Sequence, residues 1–364
     1  MRAGAPSEVL AGAPLWSCRV SSWLGGQLLA ATVPVASGRA TGKTTDDAQH
    51  KLNFVVPRWA APTDGEDVYD WRPGTDTRHP LARYGQELDV TIIVGSVVTA
   101  AVWETRVGRY VIADWEDDDE GNIVVTAEGV LCRPRDSGIG SPISPTGTLR
   151  QEARRIAPDG MGMSFDPELV DRACPPSMSW SDGRLDALQE IADAWPALLR
   201  TDEWGQIRFK APLPTVPTPV LTFRDGEGGT LILAPRADSR RGAYNEVIAS
   251  TSNTNIPDIV GVARIESGPM SVNGPYGVVS RKWSSPLIST QAAALASAQT
   301  MLSNSARPAQ AVPARIAPDP RIELDDAVEI QRGSDAAVWG WVTAYDLPLT
   351  ALDGDMRIDV GVPS

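Results

Sequence analysis

The chain has few of the residues that carry most metal and nucleophilic chemistry, with two histidines and three cysteines among 364 residues. The cysteines (Cys18, Cys132 and Cys174) are odd in number, lie far apart and show no CxxC spacing. Disulfide frameworks and structural zinc sites need paired or closely spaced cysteines, so neither is predicted. The histidines, His50 and His79, belong to no HExxH motif, and the sequence contains no GxSxG elbow. We therefore expect reduced thiols and assign no catalytic, cofactor-binding or metal-binding residue.

Long apolar runs and excess positive charge are also missing. No segment reaches the roughly 18–20 apolar residues that a membrane-spanning helix needs, so no membrane insertion is predicted. The net charge of −13 argues against a protein that grips nucleic acid through a basic surface. The segment from Trp23 to Gly38 resembles the apolar core of a signal peptide. It starts late, is interrupted by Gly25, Gly26 and Gln27, and follows no basic cluster, so secretion is not predicted.

Glycine and proline are abundant, at 32 and 30 residues, which favours many turns and short strands. Two regions, about 15–135 and 240–364, contain β-branched and apolar segments separated by turn residues. This pattern is typical of barrels and sandwiches. We predict a mainly β fold with an α/β insert between two β-barrel-like regions.

The middle of the chain has helical signals. Thr148 stands at capping-box spacing from Gln151 and predicts a helix start. A second helix is expected over residues 183–194, ending near Pro196, and a further helix over about 290–304 in the last region. The segments ALLRTD and QIRFKA flank the turn EWG and predict a hairpin.

These signals divide the chain into four predicted segments. They are an N-terminal segment 1–14, a first β-barrel-like domain 15–139, an α/β peripheral insert 140–238, and a second β-rich region 239–364.

The stretch ASGRATGKTTDD, from Ala36 to Asp47, resembles a nucleotide-binding loop. Such a loop has four residues between its first glycine and Gly-Lys-Ser/Thr, but only three separate Gly38 from Gly42. A helix should follow Thr44 and hold the phosphate at its N-terminus, whereas the chain continues into an apolar strand that ends at Pro57. We interpret the stretch as a loop between two strands.

An acidic run before Gly121 resembles part of a calcium loop. With Gly121 at the sixth position, Glu116, Asp118 and Glu120 would take the first, third and fifth. The twelfth position would be Ala127, where calcium loops need a bidentate glutamate. We predict a solvated hairpin tip between two strands, with a surface cation site as the alternative.

Two alternative functions remain open from the residues alone. Twelve tryptophans are many, and an exposed coplanar row of them would suit a carbohydrate-binding module, although core packing accounts for most tryptophans. The 46 acidic residues offer many pairs for a hydrolase that uses two carboxylates on cell-wall polymers. An enzyme needs a cleft with closely placed acids, which sequence cannot show.

Several segments, taken in order, resemble the tail hub (baseplate hub, or minor tail protein) of long-tailed phages of actinobacteria. They are HPLARYGQELDVTI, RVGRYVIADWE, GRLDALQEIADAW, LLRTDEWGQIRFKAP, YNEVIAS, GPYGVVSRKWSSPLISTQAAALASAQTML and PDPRIELDDAVEIQ. The resemblance implies two tube domains per subunit, 15–139 and 239–364, with smaller peripheral domains outside them. Three subunits would form a pseudo-sixfold ring that adapts a sixfold tail tube to a threefold tip.

The same resemblance implies a structural protein of the virion and not an enzyme. Its expected partners are two further copies of itself, the distal tail or tail tube protein, the C-terminus of the tape-measure protein and other tail-tip proteins. DNA would only pass through the channel. We expect synthesis in the host cytoplasm and an acidic channel wall, because a basic wall would hold DNA phosphates.

Overall fold

The computed structural model describes most of the chain and is mostly β, with 41% strand and 13% helix. The described residues are 1–63, 65–174, 179–214, 216, 218–235, 243–252, 257–285, 288–309 (backbone alone for 304–309) and 311–362. Within these ranges, no helix combines the length and the apolar character that crossing a membrane requires.

The N-terminal third is built of strands joined by short turns. It contains one short helix and nine strands: α1 (Ser7–Leu10), β1 (Leu15–Leu24), β2 (Gln27–Val33), β3 (Ser37–Lys43), β4 (His50–Val56), β5 (Trp59–Ala60), β6 (Tyr69–Asp70), β7 (Glu87–Gly95), β8 (Val102–Asp117) and β9 (Ile123–Gly129). Strands β1 and β2 form a hairpin that turns at Gly25 and Gly26, both with positive φ. The segment that resembles a signal peptide core is therefore largely this hairpin.

The middle of the chain is an α/β unit, which we call the insert module (residues 131–210). Its elements are α2 (Cys132–Asp136), α3 (Leu149–Ile156), β10 (Met163–Phe165), α4 (Arg184–Ala194), β11 (Leu198–Thr201) and β12 (Ile207–Lys210). The predicted capping box is confirmed, since Thr148 Oγ1 accepts from Gln151 N and Gln151 Oε1 accepts from Thr148 N. The predicted hairpin is also confirmed by the antiparallel pairing of β11 with β12.

The last third returns to strands around one long helix. Its elements are β13 (Leu221–Arg224), β14 (Leu231–Leu233), β15 (Glu246–Thr251), β16 (Val260–Arg264), β17 (Ser280–Ser285), α5 (Gln291–Ala309), β18 (Ala311–Ile316), β19 (Ala327–Gln331), β20 (Val338–Pro348), a 3₁₀ turn (Ala351–Asp353) and β21 (Met356–Gly361). The helix predicted over about 290–304 is confirmed and extends to Ala309.

Strand β3 joins the two strand-rich regions into one sheet of 13 strands. It pairs with β4 over residues 37–42 and, on its other side, with residues 344–348 of β20. The sheet order is β14-β18-β21-β20-β3-β4-β9-β8-β7-β1-β2, and β19 pairs with both β20 and β13. The prediction of a loop is therefore wrong for residues 37–43, which form a strand. The turn begins only at Thr44.

Three hydrophobic clusters match these sheets. The largest contains side chains from both strand-rich regions, for example Leu52, Phe54, Val342 and Ile358. A second lies within the insert module, and a third packs α5 against β15 and β16.

The pairing groups residues differently from the predicted segments, because a local strand pattern does not show which sheet a strand joins. Strands β13 and β14 fall in the predicted 140–238 insert but pair in the large sheet. Strands β15, β16 and β17 form a separate sheet against α5, which we call the helix–sheet module. The predicted boundary between residues 238 and 239 lies outside the described residues, and the four-segment division stays a prediction.

Candidate assembly surfaces

Gly38 and Gly42, in the stretch that resembles a nucleotide-binding loop, allow strand β3 to pack closely against neighbouring residues. A Cβ on Gly42 would lie 2.7 Å from Cζ of the buried Tyr345 ring, and a Cβ on Gly38 would lie 2.8 Å from Cα of Phe54. Strand pairing on both sides occupies the backbone N–H groups that a phosphate cradle would need. Lys43 is exposed and lies 3.9 Å from Asp46. As strand β3, this stretch joins the N-terminal part of the large sheet to its C-terminal part.

The acidic run is a hairpin tip, as predicted. Asp118 accepts backbone N–H groups of Glu120 and Asn122 at 2.9 and 2.8 Å, and Gly121 has a φ of 82°. The bond from the Asn122 side chain lowers the pKa of Asp118. Ala127 is fully buried in β9. The described residues contain no group of three or more potential metal ligands.

The histidines and cysteines hold structural positions. His50 Nδ1 lies 3.1 Å from the Tyr345 hydroxyl, and burial together with the charge of Arg2 lowers its pKa to about 3. His79 Nδ1 accepts the Leu81 backbone N–H at 3.1 Å. Burial raises the pKa of the three thiols to between about 11 and 12, so they stay protonated at neutral pH. Neutral thiols are poor nucleophiles.

The exposed tryptophans are engaged by arginines of the same chain. Trp204 and Trp59 are more than half exposed. The Arg106 guanidinium lies 4.2 Å from the Trp204 ring centroid, and that of Arg58 lies 5.0 Å from the Trp59 centroid. Within the described ranges, no ring contact joins these two tryptophans. Each of these two rings therefore has an arginine of the same chain beside it.

Several carboxylates lie along α4 and just before it. Burial, with Asp186, Asp193 and Asp182 nearby, raises the pKa of Glu190 to about 7. Burial raises the pKa of Asp193 to about 6. These acids line neither of the two cavities near β16 and β3.

The insert module is attached to the large sheet by buried charge pairs. Arg200 of β11 pairs with Asp325 at 2.7 Å, and both side chains are largely buried. Gln49 Nε2, in the turn before β4, donates to Leu199 O at 2.8 Å. Removing one partner of such a pair leaves a buried charge, so this contact fixes the insert module on the sheet.

An apolar tip projects from the β7–β8 hairpin, and we call it the valine tip (Leu15, Val97, Val98, Val102). Each of these side chains is at least 63% exposed, and Val98 is 88% exposed. Leu15 and Val102 flank Gly95 on adjacent strands. Ser96 Oγ accepts N–H groups of residues 98 and 99, so the tip is ordered by its own hydrogen bonds. Exposed aliphatic side chains that cluster on an ordered tip make it a candidate contact surface.

Within the described part of the chain, the large sheet has three edge strands, β2, β14 and β13, each paired with a single neighbouring strand. Leu28 of β2 is 45% exposed, and Ile232 and Leu233 of β14 are 56% and 49% exposed. Edge strands present unpaired N–H and C=O groups and invite pairing with another chain. Two of these edges, β2 and β14, therefore carry exposed apolar side chains.

Comparison with known proteins gives structural matches alone. No protein-family model and no curated protein matches the sequence. A tail protein from Neisseria meningitidis MC58 superposes with a TM-score of 0.64 at 13% identity, covering 95% of this chain and 96% of that chain. The 43 kDa tail protein of prophage MuSo2 from Shewanella oneidensis gives 0.62 at 13% identity, covering 95% and 99%.

A third match is the prophage tail protein gp18 from Listeria monocytogenes EGD-e. It gives a TM-score of 0.52 at 11% identity, covering 95% of both chains. At these identities the likeness concerns the fold, and it extends over nearly the whole of each chain. The chain therefore has the fold of phage tail proteins.

Proposed function

We propose that the chain is the hub of a phage tail tip, in which three copies close into a ring around the tail axis. The observation that carries this proposal is the correspondence with phage tail proteins over at least 95% of each compared chain. A chain that matches whole tail proteins from end to end has the size and layout of a tail component.

The layout of the large sheet supports ring closure. Two of its three edge strands, β2 and β14, lie at opposite ends of the main strand order. The β14 edge of one copy can therefore meet the β2 edge of the next in a head-to-tail contact, and such contacts close into a ring when the rotation permits. The N-terminal and C-terminal halves of the sheet would each supply one wall segment, which gives six segments from three copies.

The charge of the chain supports a channel that lets DNA pass. Charged side chains of the sheet are paired with opposite charges, as Arg19 of β1 is with Glu104 of β8 and Glu128 of β9 is with Arg135 of α2, both at 2.6 Å. With a net charge of −13, a wall built from this chain would not hold phosphates. A map of the assembled ring with a positive bore would contradict this part of the proposal.

In this role the chain performs no catalysis and acts through shape. It would contact two further copies, the distal tail or tail tube protein, the C-terminus of the tape-measure protein and other tip proteins. Its place would be the tail tip of the virion, after synthesis in the host cytoplasm.

Cryo-electron microscopy of tail tips tests the proposal. We expect threefold density for this chain around the axial pore; its absence from the pore would refute the hub role. In particles carrying Val98→Asp we expect incomplete tips, because a charge at the valine tip would oppose docking. Val170→Asp, at an 81% exposed site of the insert module, is the control and should assemble normally. Normal tips with Val98→Asp would exclude the valine tip from the interface.

A further inference from the structure

Strand β16 leaves a row of backbone groups open at the edge of the helix–sheet module. The sheet order is β16-β15-β17, and β16 pairs with β15 in antiparallel register. Ile265 N donates to Asn245 O, and Thr251 N donates to Ile259 O. Hydrogen-bonded pairs alternate in such a ladder, so the odd-numbered residues 259–265 face β15. The N–H and C=O groups of Val260, Val262 and Arg264 therefore point away from the sheet.

Helix α5 forms a wall beside this open edge. Gly261 allows close contact, since a Cβ there would lie 2.7 Å from Ala294 O, and Ala294 and Ala298 are fully buried. The helix flank carries Leu295, which is 40% exposed. Together with residues 262–266 this flank lines an open groove of about 400 Å³, which we call the β16 groove. Its helical lining consists of Leu295, Gln299, Leu302 and Ser303.

At both ends of the open stretch of β16, an outward backbone carbonyl is already bonded to a side chain of the same chain. At one end Gln291 Nε2 donates to Val260 O at 2.7 Å, so a helix side chain satisfies the first outward carbonyl. At the other end Ser271 Oγ donates to Glu266 O at 2.8 Å. Between these ends, and within the described residues, no backbone–backbone hydrogen bond reaches the amides of Val262 or Arg264 from outside the sheet. The open part is one short stretch of strand.

We propose that the β16 groove binds a short extended segment of a partner protein as an additional strand. The segment would pair with the outward backbone groups of Val262 and Arg264. Its apolar side chains, at every second position, would pack against Leu295 and Leu302. Strand addition of this kind derives affinity from main-chain bonds and specificity from alternate side-chain pockets.

The size of the groove argues for a linear segment and against a folded second copy. A standard interface buries about 800 Å² on each partner. A few open strand residues and one helix flank offer far less. An extended segment can use the whole groove with few residues, whereas a folded copy would need further surface around it.

Selection from a library of short random peptides against the full chain tests this proposal. We expect enriched peptides with apolar residues at alternate positions. Their binding should weaken roughly tenfold or more in Leu295→Glu, which places a charge in the groove. The matched control is Leu352→Glu, at a 90% exposed leucine of the 3₁₀ turn, which should bind like the parent chain.

Backbone hydrogen exchange gives a second, geometric readout. A selected peptide should slow exchange at the amides of Val262 and Arg264, and its N-methylated version, which cannot pair, should not bind. Failure to enrich any peptide, binding that Leu295→Glu leaves unchanged, or unchanged exchange in β16 would each overturn the proposal. A dimer of the full chain that Leu295→Glu dissociates would also overturn it, because a second copy would then occupy the groove. None of these outcomes depends on the ring.

Discussion

Replacing Gly42 with alanine tests whether β3 packs so closely against Tyr345 that only glycine fits at this position. The new Cβ would lie 2.7 Å from Cζ and 3.0 Å from Cδ1 of Tyr345, a ring that is 3% exposed and therefore has little room to move. Overpacking of this kind costs about 1–3 kcal/mol. Displacing the ring also threatens its contact with His50, worth about 1 kcal/mol, whereas removing a glycine from a strand returns about 0.5–1 kcal/mol.

We therefore expect Gly42→Ala to lower the free energy of unfolding by about 1–3 kcal/mol. Chemical denaturation of the full chain measures the loss, and hydrogen exchange should locate it at β3 and β20. Gly140→Ala is the matched control, since a Cβ there meets open space and Gly140 has no positive φ. It should stay within about 0.5 kcal/mol of the parent.

Two outcomes would refute this reasoning. One is a Gly42→Ala chain as stable as the parent. The other is a cost that persists unchanged when Tyr345 is shortened to leucine, because residues in contact should couple and the smaller side chain should relieve the clash.

Three further predictions concern charge. Lys43→Ala should change the free energy of unfolding by less than about 0.5 kcal/mol, because the Lys43 side chain is exposed. In calorimetry, ATP should bind neither the parent chain nor the variant. ATP binding by the parent that the variant loses would restore the nucleotide-binding interpretation. Arg200→Ala should cost about 3 kcal/mol or more by denaturation, because it removes the guanidinium that binds both carboxylate oxygens of the buried Asp325; a neutral result would mean that the insert module is held elsewhere. The pKa of Glu190 is raised to about 7, so its contribution to stability is present below about pH 4.5 and is lost as the pH rises through 7. Glu190→Gln should therefore stabilise the chain at pH 8 by about 1–2 kcal/mol after allowance for solvent screening, with no gain at pH 4.5. Thermal unfolding at both pH values measures this, and an equal change at the two would contradict it.

Local signals predicted the elements they encode. The capping box at Thr148 specifies a helix start through two neighbouring hydrogen bonds, and the structure shows both. The β8–β9 tip follows from an Asp118 turn closed by its own backbone. In each case, residues a few positions apart contain the whole interaction, so the sequence pattern is sufficient.

Several other strands have no such local pattern. Strand β3 (SGRATGK) contains two glycines and no β-branched residue except Thr41, and it forms because β4 and β20 flank it. Strand β18 contains Pro313, which disfavours a strand assignment, yet it pairs with β21. Strands β13 and β14 have three or four residues each, too few for a periodicity to show.

The valine tip and the β16 groove could likewise not be predicted from the sequence. Valines and leucines in strand patterns are normally assigned to the core, and only exposure in the folded chain separates Val98 from Val94. The β16 groove depends on which side of β16 is unpaired and on where α5 lies.

The sequence by itself determined a mainly β chain with an α/β insert, three helices and several hairpins, because those features rest on contacts between near neighbours. Tertiary structure decided that the two strand-rich regions share one sheet, since the β3–β20 pairing joins residues some 300 positions apart. It also decided which strand edges and apolar side chains stay open to partners. Pairing over such a distance is set by how whole surfaces pack, and no short pattern along the chain encodes it.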